Sequence, residues 1–130
     1  MSQSRPQDAR SSGNDIFDLS ERLERFAQDR EWGQFHSVRN LILALVAEAG
    51  ELAAEVQWVS DTQMDEFLND PEKKSAIASE MADILNYLVR LADKLDVDLV
   101  AEAMKKIALN EDRYPAEKAR GSSAKYTEYE

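Results

Sequence analysis

The sequence predicts an all-α fold: a four-helix-bundle-type subunit with one short extra helical turn, assembling into a homo-oligomer. Three observations carry this. Only 4 glycines and 3 prolines punctuate 130 residues, so few turns are available. Alanine and leucine, both strong helix formers, are frequent. Apolar residues recur at helical spacing in segments bounded by recognisable caps and breakers.

The elements follow in order. Residues 1–14 are polar and rich in Ser, Gln and Arg, the composition of a disordered arm. From Asp15 to about Trp32, the residues Ile16, Leu19, Leu23 and Phe26 define a first helix, which Gly33 breaks. Ser37 caps a second helix that reaches about Val59. A short amphipathic turn spans Met64–Leu68. Asp70 followed by Pro71 starts a third helix, which runs to about Leu95. Asp98 caps a fourth, from Leu99 to about Tyr114, and Pro115 ends it. The domain is read as 15–115, followed by a polar tail over 116–130.

Composition narrows the function. Hydrophobic residues at 43 % and charged residues at 32 % describe a globular, well-solvated chain. Cysteine is absent, which removes disulfides and thiolate metal sites and suits a reducing cytoplasm. No apolar run approaches the ~20 residues of a membrane span, and the start lacks the apolar region of a signal peptide. A net charge of −10 argues against a nucleic-acid polymer as partner. It does not argue against a small phosphorylated ligand, because a cation can bridge carboxylate to phosphate.

The chemistry is concentrated in "EAGE", Glu48 to Glu51, and "EMAD", Glu80 to Asp83. With Glu48 as zero, Leu41, Leu45, Leu52, Val56 and Val59 fall between roughly +20° and +80° around the helix. Glu51 falls at about −60° and Glu55 at about −20°. With Glu80 as zero, Ile77, Ile84, Leu88, Leu91 and Leu95 occupy the same roughly +20° to +80° arc. Asp83 then lies at about −60° and Tyr87 at about −20°. Both acidic pairs therefore edge the apolar stripe, in the same phase, and can face each other if the helices pack along their stripes. One such pair is usually only a solvated helix edge. Two in matching phase form a metal-site hypothesis. Carboxylates without His or Cys partners suit Mg²⁺, with Mn²⁺ as a substitute, better than Zn²⁺. Glu55 shares the edge as a salt-bridge partner or an outer group.

The ExxE…ExxD pattern resembles the signature of the MazG-like all-α nucleoside triphosphate pyrophosphohydrolases. The stretches "REWGQFHSVRNLILALVAEAGELAAEVQW", "SEMADILNYLVRLADKL" and "NEDRYPAEKARGSSAKY" resemble the dCTP pyrophosphatase branch, over roughly residues 17–128. The resemblance implies cleavage of a deoxycytidine-type triphosphate to monophosphate and pyrophosphate, a need for Mg²⁺, and a homotetramer with sites between subunits. By position it makes Glu48, Glu51, Glu80 and Asp83 metal ligands. Trp32 and Trp58 correspond to base-pocket aromatics, and Tyr87 to a residue beside the nucleotide. Lys106, Asn110 and Tyr114 match positions reaching phosphates and sugar. Arg120, Ser122, Ser123, Lys125 and Tyr126 match a tail segment that closes over substrate. Leu23 departs from the pattern, since the mammalian enzyme's pocket has a histidine there, so base preference stays open between dCTP, its modified forms and a nucleotide such as dUTP.

Read for their own chemistry, Glu48 and Glu51 are the catalytic candidates, with Glu51 preferred for orienting or deprotonating water. Lys106, Arg113 and Lys125 can meet phosphate oxygens, and the two tryptophans offer flat faces to a base. Each has a plainer reading. Trp32 and Trp58 can be core or rim residues. Tyr87 can pack at a helix interface, and Lys106 and Arg113 can complement a helix dipole. His36, the only histidine, is read as structural or incidental. Two other classes compete: a non-catalytic helical module whose acidic edges meet a basic partner, and a di-iron bundle. The latter is disfavoured because neither Glu48 nor Glu80 is followed by histidine at spacing three. Apolar residues such as Val97, Leu99, Val100 and Ile107 call for a partner copy.

Overall fold

The computed structural model describes residues 15–128, all helical or irregular, with no strand among them. The N-terminal arm over 1–14 lies outside these residues. Helix α1 spans Ile16–Asp29 and is followed by a 3₁₀ turn, Trp32–Phe35. Helix α2 spans Val38–Val56, α3 Met64–Leu68, α4 Pro71–Leu95, α5 Leu99–Arg113 and α6 Ala116–Ala119. None of the described helices is long and apolar enough to cross a membrane.

Local chemistry accounts for the starts. Asp15, Ser37, Asp70 and Asp98 sit at N-caps with their side chains accepting a backbone N–H of the first turn, satisfying donors that no intrahelical carbonyl can reach. Pro71 opens α4, where its missing N–H costs nothing.

Two ends differ from the sequence reading. The first helix stops at Asp29 instead of reaching Trp32, because Glu31 turns left-handed at φ 54°. That reversal detaches Trp32 from the helix and starts the 3₁₀ turn. The second helix closes at Val56, not Val59. The segment after Pro115, read as a polar tail, carries α6 and a 3₁₀ turn at Tyr126–Glu128.

The chain divides into two compact units, one ending at Asp96 and one beginning at Val97, whereas the sequence boundary was placed after Pro115. In the first unit α2 packs most extensively on α4, and α1 also lies against α4. Its interior is thin. Ala27, Leu41, Val89 and Ala92 are the buried apolar residues, joined by the charged Arg90. Ser20 ties α1 to α4 by donating to Asp93 at 2.6 Å. Many large apolar side chains stay exposed, among them Leu43, Val46 and Met81.

In the second unit α5 ends in a backbone bond from Tyr114 N–H to the Asn110 carbonyl, 2.7 Å. The Tyr126 ring meets Tyr114 edge-on at 5.9 Å, and the Arg113 guanidinium lies 4.8 Å from its centroid. Gly121 takes φ 75°, a left-handed value that glycine adopts freely.

Candidate active site

The close packing of α2 on α4 brings Glu48, Glu80 and Asp83 together. Each offers an oxygen within 4.8 Å of the other two, and all three are half-buried. Glu48 Oε2 and Glu80 Oε2 are fully shielded from solvent without a hydrogen-bond partner. No cation forms an ion pair with the group among the described residues.

Such an arrangement resists full ionisation. The close Glu80 carboxyl, then desolvation, then the neighbouring Glu51 and Asp83 push the Glu48 carboxyl up to about 7. In the absence of a cation, Glu48 therefore keeps its proton below about 7. Glu51 contributes to that shift but stands outside the three-carboxylate group, exposed at its rim. The sequence reading makes all four acids metal ligands, with Glu51 also preferred for activating water. The orphaned oxygens and the all-carboxylate donor set fit a hard divalent cation.

A cavity of about 540 Å³ opens beside the group, and Asp83 belongs to both. Helix α1 supplies Leu19, Arg22, Leu23 and Phe26 to its wall, and α4 supplies Asn86, Tyr87 and Arg90. Trp32 and His36 complete it. The Phe26 and Trp32 rings meet edge-to-face at 5.5 Å, and Trp32 meets His36 in the same manner at 6.5 Å. This aromatic corner offers flat faces of the kind on which bases stack.

Trp32 and Tyr87 thus stand on the cavity wall beside the acids. Trp58 does not. It is 88 % exposed and absent from the lining. Lys106, Asn110, Arg113, Tyr114, Arg120, Ser122, Ser123, Lys125 and Tyr126 all lie in the second unit. There Ser122 Oγ accepts from Ala124 N–H at 3.2 Å, and Lys125 N–H donates to Glu128.

Sequence reasoning passed over Arg22, Phe26, Asn86 and Arg90, and gave His36 no role. One signal was available for Arg90. It falls at about −80° from Glu80, on the edge that carries Asp83.

The MazG-like family model matches residues 43–129. The chain belongs to the MazG-like family. It is 47 % identical to dCTP pyrophosphatase 1 of Mus musculus and 48 % to that of Homo sapiens, each over 103 residues. Those matches cover 79 % of this chain and 61 % of each relative, so the chain spans about three-fifths of the length of these curated relatives. It is 42 % identical to dCTP pyrophosphatase 1 of Bos taurus over 118 residues, covering 91 % of this chain and 70 % of that one. Among solved structures, a pyrophosphatase from Archaeoglobus fulgidus superposes with a TM-score of 0.71 at 26 % identity, covering 87 % of this chain and 97 % of that one.

Proposed function

We propose that this MazG-like chain is a Mg²⁺-dependent nucleoside triphosphate pyrophosphohydrolase that converts dCTP, or a modified dCTP, to the monophosphate and pyrophosphate. One observation carries the reading: three converging carboxylates with two orphaned oxygens adjoin, through Asp83, an aromatic-walled cavity. The names of the dCTP pyrophosphatase relatives supply the base and the bond.

Glu48, Glu80 and Asp83 would hold the ion, with Glu51 alongside. When bound, magnesium neutralises phosphate charge and polarises phosphoryl oxygens. The chain's own groups do the rest. Glu51, half-free of the cluster, is the carboxylate left to orient a water and take its proton. That water attacks a phosphorus of the triphosphate, the phosphoanhydride bond breaks, and pyrophosphate leaves. Trp32 and Tyr87 hold the nucleoside end in the cavity. From the family resemblance we also propose that Lys106, Arg113, Arg120 and Lys125 meet phosphate, that Asn110, Tyr114, Ser122, Ser123 and Tyr126 add polar contacts, and that Trp58, outside this cavity, reaches the base from a neighbouring copy. We place the protein in the cytoplasm and read it as a homotetramer. The exposed Leu43, Val46 and Met81 of the first unit and Val100, Met104 and Ile107 of the second support association.

The test is pyrophosphate release from dCTP and dUTP with Mg²⁺. Outer partners of a metal site typically cost about 10–100-fold when mutated, so Glu48→Gln, a direct ligand, should lose at least that with helical content unchanged. Turnover intact in Glu48→Gln removes Glu48 from the site. No release from any deoxynucleotide favours the non-catalytic module.

A further inference from the structure

Arg90 is a charged residue only 4 % exposed, and the chemistry above makes no use of it. Its nitrogens point two ways. Nη1 pairs with the Glu24 carboxylate on α1, and Nη2 lies 3.3 Å from Nδ1 of His36. Its Nε is buried and lacks a hydrogen-bond partner. A guanidinium has donors and no acceptor, so the contact to His36 has one polarity: Arg90 donates and Nδ1 accepts. The single proton of a neutral imidazole is then on Nε2. Neutrality is favoured, because burial and the adjacent Arg90 charge hold His36 below its ordinary value. Both His36 and Arg90 line the cavity beside Asp83.

We propose that the Glu24–Arg90–His36 chain sets base selectivity: Arg90, anchored by Glu24, locks His36 as the Nε2–H tautomer, so His36 offers a nucleobase a donor and no acceptor. The inference rests on the nucleotide reading above. In it, His36 determines specificity, and Arg90 and Glu24 are positioning residues. A cytosine turning its N3/O2 edge to the wall offers two adjacent acceptors. A uracil offers an N–H at N3, which meets a donor head-on. Sites that pair a buried donor with one substrate reject the mismatched one through the group left unpaired. The opposite tautomer would reverse the preference at N3.

Because His36 is the only histidine, ¹⁵N NMR of the full chain shows one imidazole. In the wild type we expect the Nε2–H tautomer near neutral pH. Added dCMP should shift the Nε2 signal, and dUMP at equal concentration should shift it far less. In Arg90→Met the tautomer preference should be lost. In His36→Phe the ratio of kcat/KM for dCTP over dUTP should fall by at least about tenfold. An Nδ1–H tautomer in the wild type, equal responses to dCMP and dUMP, or an unchanged ratio in a folded His36→Phe each overturns the inference. Wild-type turnover of dCTP alongside any of these sinks the inference and leaves the enzyme reading intact. Absence of turnover sinks the enzyme reading, while the spectrum of the ligand-free protein still decides the tautomer.

Discussion

Glu24→Gln should destabilise the protein more than Arg90→Met, although Glu24 is the more exposed partner. The Arg90 side chain is 5 % exposed, whereas half of the Glu24 side chain is in water. Removing one partner of a fully buried pair costs about 3–5 kcal/mol, because a bare charge stays behind. A surface pair contributes at most about 1 kcal/mol. Glu24→Gln strands the buried cation; discounted for the water reaching its side of the pair, the cost is about 1–3 kcal/mol. Arg90→Met strands a half-hydrated carboxylate and fills most of the vacated space, at about 1 kcal/mol or less. The double variant should return to within about 1 kcal/mol of wild type, since neither charge remains. Urea unfolding followed by circular dichroism, at one protein concentration, measures all four corners of the cycle. A Glu24→Gln cost below that of Arg90→Met, or a double variant equal to the sum of the singles, would refute this reasoning. Acid supplies a second check. The hydrogen bond from Arg90 holds the Glu24 carboxyl below its ordinary 4.5. The pair's stabilisation is therefore full above that value and is lost as pH falls through Glu24's depressed one. Glu24→Gln should remove this part of the acid slope.

Four further outcomes follow from the structure. With Glu48 pushed up to about 7, cation binding must expel its proton below that pH, so Mg²⁺ affinity should climb as pH rises through about 7 and level off above; calorimetry in buffers of different ionisation enthalpy counts the proton, and a pH-independent affinity contradicts the assignment. The metal-free protein should lose stability from this group as pH rises from 4.5 towards about 7, because the folded state holds the proton more tightly, and a divalent cation should cancel the loss in thermal melts. Trp58→Ala should change stability by less than about 0.5 kcal/mol, as its 88 % exposure requires, yet raise KM for dCTP by about tenfold; an unmoved KM assigns Trp58 to the surface alone. Placing glutamate at Val100 and Met104 together should lower the assembly's mass in light scattering if α5 lies in the contact between copies, and an unchanged mass locates that contact elsewhere.

The fold was legible where causes are local. Ser37, the Asp70–Pro71 pair and Asp98 announce helix starts within four residues of themselves, and the structure uses each as a cap. The matching phase of Glu48 and Glu80 was legible for the same reason, since helical period alone fixes it. What escaped depends on partners distant in the chain. Arg90 acquires its meaning from Glu24 and His36, 66 and 54 residues away, and no periodicity joins them. Trp32 was assigned to a helix because nothing local signals that Glu31 will turn left-handed. Glu51 and Asp83 occupy equivalent angles on their helices, yet only Asp83 joins the three-acid group, a difference that helical period alone does not predict.

Among the described residues, Asp83 is the one side chain common to the acid cluster and the cavity. On the proposed function, reaction and recognition meet at this residue and otherwise lie on separate parts of the chain. The acid group proposed to break the anhydride sits at the α2–α4 seam, while α1, the following turn and the next stretch of α4 wall the cavity proposed to take the base. Under that proposal, drift at Leu23, His36 or Arg90 would retune which nucleotide is cleaved without disturbing the acids, so descendants of this scaffold would exchange diets while keeping the same teeth.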